Sequence, residues 1–219
     1  MKRERREKHN KNVSNFRWGV FLLGLIIMSF GIALTIVADL GSAPWDVLHI
    51  GLTEKFGLTV GTWTIIMGFV VLSSASILTK EFPKLGAFLN MMLVGIFVDI
   101  FLFLLQTPSN LFLQGVMLVT GILVTGFGIG VYISPRCGAG PRDSFMIAIS
   151  ERTKFSVARV RLMMEVFVLT AGWLLGGPVF IGTILFSLSI GHVTGISLSW
   201  CQTWIDRRME RGVKVENIH

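Results

Sequence analysis

Two stretches of this chain carry the same spacing of chemically active residues, G-x-x-P-x-D: Gly41, Pro44 and Asp46 in the first, Gly138, Pro141 and Asp143 in the second. Proline suits the first position of a helix, where its missing N–H costs nothing. An acid two residues later faces the free N–H groups and the positive end of the helix dipole. The glycine lets the chain turn sharply as it enters. One consequence is simply a well-made helix start. The other is a solute site, in which the free N–H groups take an anionic group and Asp46 and Asp143 hold a cation or a proton.

Two more ionisable residues stand in apolar surroundings. Asp99 lies in a stretch where a central charge costs roughly 2.5–3.5 kcal/mol to insert. His192 occupies the place equivalent to Ile96, one turn from Asp99. A carboxylate and an imidazole that met there would couple a proton to movement of a solute. The alternative is an Asp99 solvated near one membrane surface and a His192 bonded to a backbone carbonyl. Glu165 and Arg161, one turn apart, read as an ion pair.

The elements that must position these groups are set by the composition. The chain has 219 residues, 52% hydrophobic and only 15% charged, with a mean hydropathy of +0.69; a soluble domain carries about 25% charged residues. Ile100 to Pro135 and Val166 to Ile205 hold no Asp, Glu, Lys or Arg. Such runs exceed the roughly 20 apolar residues that one transmembrane helix needs. They are also too long for outer-membrane barrel strands, which alternate over about 10 residues.

Six segments of spanning length are predicted, at 18–38, 59–79, 86–106, 111–133, 157–176 and 179–201. The two motif-bearing helices, 44–55 and 141–152, are too short to cross roughly 30 Å of hydrocarbon at about 1.5 Å per residue. The apolar run from Gly19 to Ala38 outlasts a signal-peptide core of roughly 7–15 residues. It is therefore expected to remain as the first span.

The segment from Gly41 lies over the segment from Gly138 without gaps. The same 97-residue offset pairs Pro44 with Pro141, Asp46 with Asp143, Ile50 with Ile147 and Glu54 with Glu151. It also lays Phe30-Gly31-Ile32 over Phe127-Gly128-Ile129. Membrane composition gives chance matches of Leu and Val, but not of Gly, Pro, Asp and Glu in one register. The chain therefore reads as a duplication, with Trp45 replaced by Arg142 in the second copy.

Three spans per copy is odd, so the copies insert in opposite orientations. One side then receives Lys80, Lys84, Arg136, Arg142, Arg152, Lys154, Arg159 and Arg161, and the other only Lys55. Positive charge beside short loops marks the cytoplasmic side. The fold class expected is an all-α integral membrane protein of two inverted-topology repeats, six spans with two interrupted or re-entrant helices. Its parts are a basic tail 1–17, repeats 18–106 and 111–202, and a second tail 203–219, with both tails cytoplasmic in a bacterial inner membrane.

The net charge of +7 sits beside apolar spans and does not point to nucleic acid. Cys137 and Cys201, far apart and with no C-x-x-C, imply neither a disulfide framework nor a metal site. The glycine run at Gly126, Gly128 and Gly130 follows no strand, so close helix packing explains it better than a nucleotide loop. Packing is likewise expected at Gly172/Gly176 and Gly191/Gly195. No catalytic constellation, Walker motif or cofactor site is present, so no enzyme is expected.

With these residues in view, the chain resembles the YczE/YyaS/YitT group of bacterial integral membrane proteins, and is most similar to its YczE-like branch. LGSAPWDVL at Leu40 to Leu48 and CGAGPRDSF at Cys137 to Phe145 carry the resemblance, which covers roughly 18–205. It implies a membrane protein and carries over neither a substrate nor site residues.

Paired interrupted segments in inverted copies are the sequence signature of a transporter's binding site. The expected function is a secondary transporter or permease for a small solute. Gly41, Pro44, Asp46, Gly138, Pro141 and Asp143 would form its substrate site, with Asp99 and His192 as coupling residues. Besides the bilayer and the solute, a homodimer is one partner arrangement open to it. The competing expectation is a non-transporting accessory protein whose basic inner face docks a partner protein.

Overall fold

The computed structural model describes residues 2–138 and 140–216, with side chains for 14–138 and 140–208. The outer parts of both basic tails, 1–13 and 209–219, thus have side chains outside the described residues. Eight helices make up the described chain: α1 (Lys2–Val37), α2 (Pro44–Phe56), α3 (Val60–Thr79), α4 (Leu85–Leu104), α5 (Leu111–Ile133), α6 (Pro141–Thr153), α7 (Val157–Leu174) and α8 (Ile181–Glu216).

Five of the starts have a local cause. Pro44 and Pro141 open α2 and α6. Thr59, Asn110 and Ser156 cap α3, α5 and α7 by accepting from Thr62 N–H, Phe112 N–H and Arg159 N–H, which satisfies donors that a helix start leaves free.

Five helices are long and apolar enough to cross a membrane: α1 over Ser14–Val37, α3, α4, α5, and α8 over Ile181–Arg208. The expected sixth, α7, differs in composition. Its 18 residues reach about 27 Å at 1.5 Å per residue, but Arg159, Arg161 and Glu165 occupy its first half. Arg161 and Glu165 face a cavity described below, and Arg159 is exposed at the start of the helix.

The 97-residue offset recurs in the backbone. It relates the starts of α2 and α6, the ends Phe56 and Thr153, and the starts of α3 and α7. Positive φ angles follow it too, at Asp39 (55°) and Arg136 (59°), Gly41 (97°) and Gly138 (153°), and Gly57 (75°) and Lys154 (59°). Gly41 and Gly138 thus make the turn expected of them.

Packing exchanges between the equivalent elements. α1 lies along α5; α2 packs on α7 while α6 packs on α3; α1 meets α4 while α5 meets α8. The α1–α5 seam is built on two mated pairs of close approaches. Gly31 abuts the backbone of Thr125 while Gly128 abuts that of Met28, and Gly24 abuts Tyr132 while Gly121 abuts Thr35. Small residues let helix backbones touch in this way. The core around the seam includes Phe21, Leu25, Met28, Val94, Val98 and Tyr132.

One part of the pattern breaks. α3 packs on α4 through Gly61 against Gly95. The packing expected at Gly191 and Gly195 of α8 is not made: a side chain at either position would meet nothing within 4 Å. Gly126, Gly128, Gly130 and Gly172 do sit against neighbouring helices, whereas Gly176 takes a left-handed turn (φ 99°) after α7.

Candidate functional site

The first turns of α2 and α6 meet beside a cavity of about 240 Å³, with a second of about 100 Å³ next to it. Pro141 and Asp143 line the larger and Pro44 and Asp46 the smaller; Trp45, Arg142, Arg161 and Glu165 line both. Of the sequence-predicted site residues, these two prolines and two acids therefore come together. Gly41 and Gly138 stand behind them, packed against Phe180 and Thr183 and against Gly86 and Ala87.

The centre of the site is the contact between Trp45 and Arg142. The guanidinium carbon lies 4.6 Å from the ring centroid, a cation–π distance. Arg142 was expected among the inner connectors; it stands on the cavity wall with its side chain open to the cavity, while Trp45 is 8% exposed. No hydrogen bond or ion pair to Arg142 is formed among the described residues.

A buried polar layer surrounds this pair. His49 is 1% exposed, with Nδ1 3.1 Å from Thr64 Oγ1 and 4.0 Å from Asp46 Oδ1. The Thr64 hydroxyl has one proton and donates it to Val60 O at 2.9 Å. It therefore accepts from His49 Nδ1–H, and Nε2 is left as a bare acceptor without a partner among the described residues. Across the cavity, Tyr132 Oη, Asn90 Oδ1 and Asp143 Oδ2 surround Gly140, at 3.4, 3.5 and 3.7 Å from where a Cβ would stand. Asn90 is 8% exposed, and its Nδ2 has no partner. At the rim, Arg161 Nε donates to Glu165 Oε1 at 2.9 Å, the pair expected from their spacing.

His49, Thr64, Asn90 and Tyr132 were not picked out by sequence motifs, and Trp45 and Arg142, inside the two motifs, were given no site role. Two signals pointed to some of them. Trp45 and His49 are four apart on α2 and so share a face, and the Trp/Arg exchange marked the position at which the copies differ.

Asp99 and His192 do not join this site, and their expected meeting does not occur. Asp99 accepts from Thr59 Oγ1 at 2.5 Å and from Gly61 N–H at 2.8 Å, holding the start of α3. His192 is exposed on α8 and turns Nδ1 to Leu188 O at 3.3 Å. The Asp99 contact carries a prediction. Asp99→Ala removes two hydrogen bonds to a charged acceptor at a helix N-terminus, worth about 1.5–3 kcal/mol. A melt of the detergent-purified protein should fall accordingly, and that of His192→Ala should not. Equal midpoints for the two variants would contradict the capping role.

Cys137 and Cys201 are unpaired and partly buried.

The family described as "Family of unknown function (DUF6198)" matches residues 15–198. The chain is 44% identical over 183 residues to the "Uncharacterized membrane protein YczE" of Bacillus subtilis, covering 83% of this chain and 85% of that one. It is 34% identical to an "Uncharacterized protein" of Haemophilus influenzae, covering 82% of each. To the "Uncharacterized protein YyaS" of Bacillus subtilis it is 30% identical over 74% of this chain and 83% of that one. No solved structure matches the chain significantly.

Proposed function

We propose that this chain, which belongs to the DUF6198 family of unknown function, is a secondary transporter that binds a small polar solute between two inverted halves. The observation that carries this reading is the contact of Trp45 with Arg142, which joins the first turns of the two short helices at one cavity. Irregular backbone inside a membrane is tolerated where it lines a cavity, and solute sites of carriers form where interrupted helices of two repeats meet.

Three features support the orientation and the mechanism. Arg152 Nη2 donates to Leu78 O at 2.7 Å, so the end of α6 sits beside the end of α3. Lys80, Lys84, Lys154 and Arg159 cluster near that end, the arrangement of a cytoplasmic face. In this reading α7 crosses as the sixth span with Arg161 and Glu165 turned to the cavity, both termini are cytoplasmic, and the membrane is the bacterial inner one.

The halves also differ in closure: α3 is packed on α4, whereas Gly191 and Gly195 of the equivalent pair are open. Alternating access consists of the two halves exchanging such arrangements.

The test is solute exchange. Liposomes holding the purified protein are loaded with a bacterial small-molecule extract and placed in isotope-labelled extract. Mass spectrometry should find at least one solute exchanging faster than in protein-free liposomes. No solute exchanging above that background would sink the carrier reading.

A further inference from the structure

The cavity holds three kinds of unspent bonding capacity. The first is Arg142. Its flat face is covered by Trp45 and its five N–H donors have no partner among the described residues. A guanidinium fork held in this way matches a carboxylate by two parallel bonds. The second is Asn90 Nδ2, a donor in a residue 8% exposed, beside the first turn of α6 and without a partner. The third has the opposite sense. His49 Nε2 is a bare acceptor in a residue 1% exposed, its ring fixed by Thr64 and facing Trp45 at 6.5 Å between ring centroids. Buried groups without partners are costly, so a solute that satisfies Asn90 and His49 gains on both, while Arg142, open to the cavity, supplies the charge that holds it.

The charges narrow the choice. Arg161 and Glu165 are already paired, which leaves Arg142 with Asp46 and Asp143. A simple cation would meet Arg142 and leave the donors unused. A dianion such as phosphate would add two negative charges where two acids already outnumber the one unpaired arginine. A carboxylate with nothing to donate would leave His49 Nε2 bare. The walls offer room for a short apolar group: Met28, Met91 and Met146 line a volume of about 240 Å³, and methionine adapts to irregular shapes.

We infer that the solute is a small monocarboxylate bearing a hydrogen-bond donor close to its carboxyl group, the class of the short amino and hydroxy acids. The carboxylate lies on Arg142 and Asn90, and the ammonium or hydroxyl donates towards His49 Nε2. This assignment rests on the carrier reading only for its choice of site, since binding can be measured without flux.

The experiment uses four probes of near-equal size, namely alanine, lactate, propionate and propylamine, with inorganic phosphate as a fifth. Calorimetry on the detergent-purified protein should find alanine or lactate at least tenfold tighter than propionate, propylamine and phosphate. Arg142→Lys keeps the charge and loses the fork, and should weaken the best probe at least tenfold with an unchanged melting midpoint. Asn90→Asp, which exchanges an amide donor for an acceptor, should weaken it comparably.

Propylamine or phosphate binding best, propionate binding as well as alanine and lactate, or no probe binding would overturn the assignment. Alanine or lactate binding without uptake into liposomes would leave the class standing and remove the carrier reading. Exchange of an unrelated solute, with no carboxylate bound, would do the reverse.

Discussion

Valine at Gly31 or Gly128 is expected to stop α1 docking on α5 and to leave little folded protein in a membrane extract. A Cβ at Gly31 would overlap the backbone N and Cα of Thr125, and one at Gly128 the backbone of Met28. Overpacking against a movable side chain typically costs about 1–3 kcal/mol. Here the obstacle is main chain held in a helix, so the two backbones must separate and the whole seam is affected. Against a total stability of about 5–15 kcal/mol, one substitution removes a large share and both together should be lethal to the fold. Gly115 lies on α5 with Gly128 and has nothing within 4 Å of an added Cβ, so Gly115→Val is the internal control. Size-exclusion profiles and melts of the variants give the comparison. If Gly31→Val melts together with Gly115→Val, the seam does not depend on that contact.

Much of this architecture could be read in advance. The expected helix 44–55 is α2 to within a residue, 141–152 is α6 likewise, and 111–133 coincides with α5. These came through because proline, cap residues and long apolar runs act locally, and because the 97-residue register supplied each element with a second witness. What escaped reading was tertiary. Arg142 counted as a loop cation because only packing reveals that α6 turns it into a cavity. Asp99 looked like a coupling acid because nothing local shows that the start of α3 arrives within 2.8 Å of its carboxylate. Gly191 and Gly195 have the spacing of a packing seam, yet spacing cannot say whether a partner helix is present. His49 and Asn90 left no motif, since each is defined by what lies across the cavity from it.

The second large effect concerns flux. Asp46→Asn and Asp143→Asn should each lower solute exchange about a hundredfold, equivalent to about 2.7 kcal/mol at 1.36 kcal/mol per tenfold, with protein that still inserts and melts normally. Asparagine keeps the shape of aspartate, so the helix starts survive, while the charge that balances Arg142 is lost. The two positions are not equivalent in exposure. Asp46 is 4% exposed and 4.0 Å from His49, whereas Asp143 is partly buried and opens on the larger cavity beside Tyr132. Direct access to the solute makes Asp143→Asn the variant expected to weaken binding as well as turnover. Flux equal to that of the unaltered protein in both variants would take these acids out of the mechanism.

The stacked Trp45 and Arg142 occupy corresponding places in the two copies. Two arginines there would repel and two tryptophans would carry no charge, so the mixed pair gives the two helix starts a single cation between them. A solute entering the cavity therefore meets charge from one helix start and an aromatic face from the other.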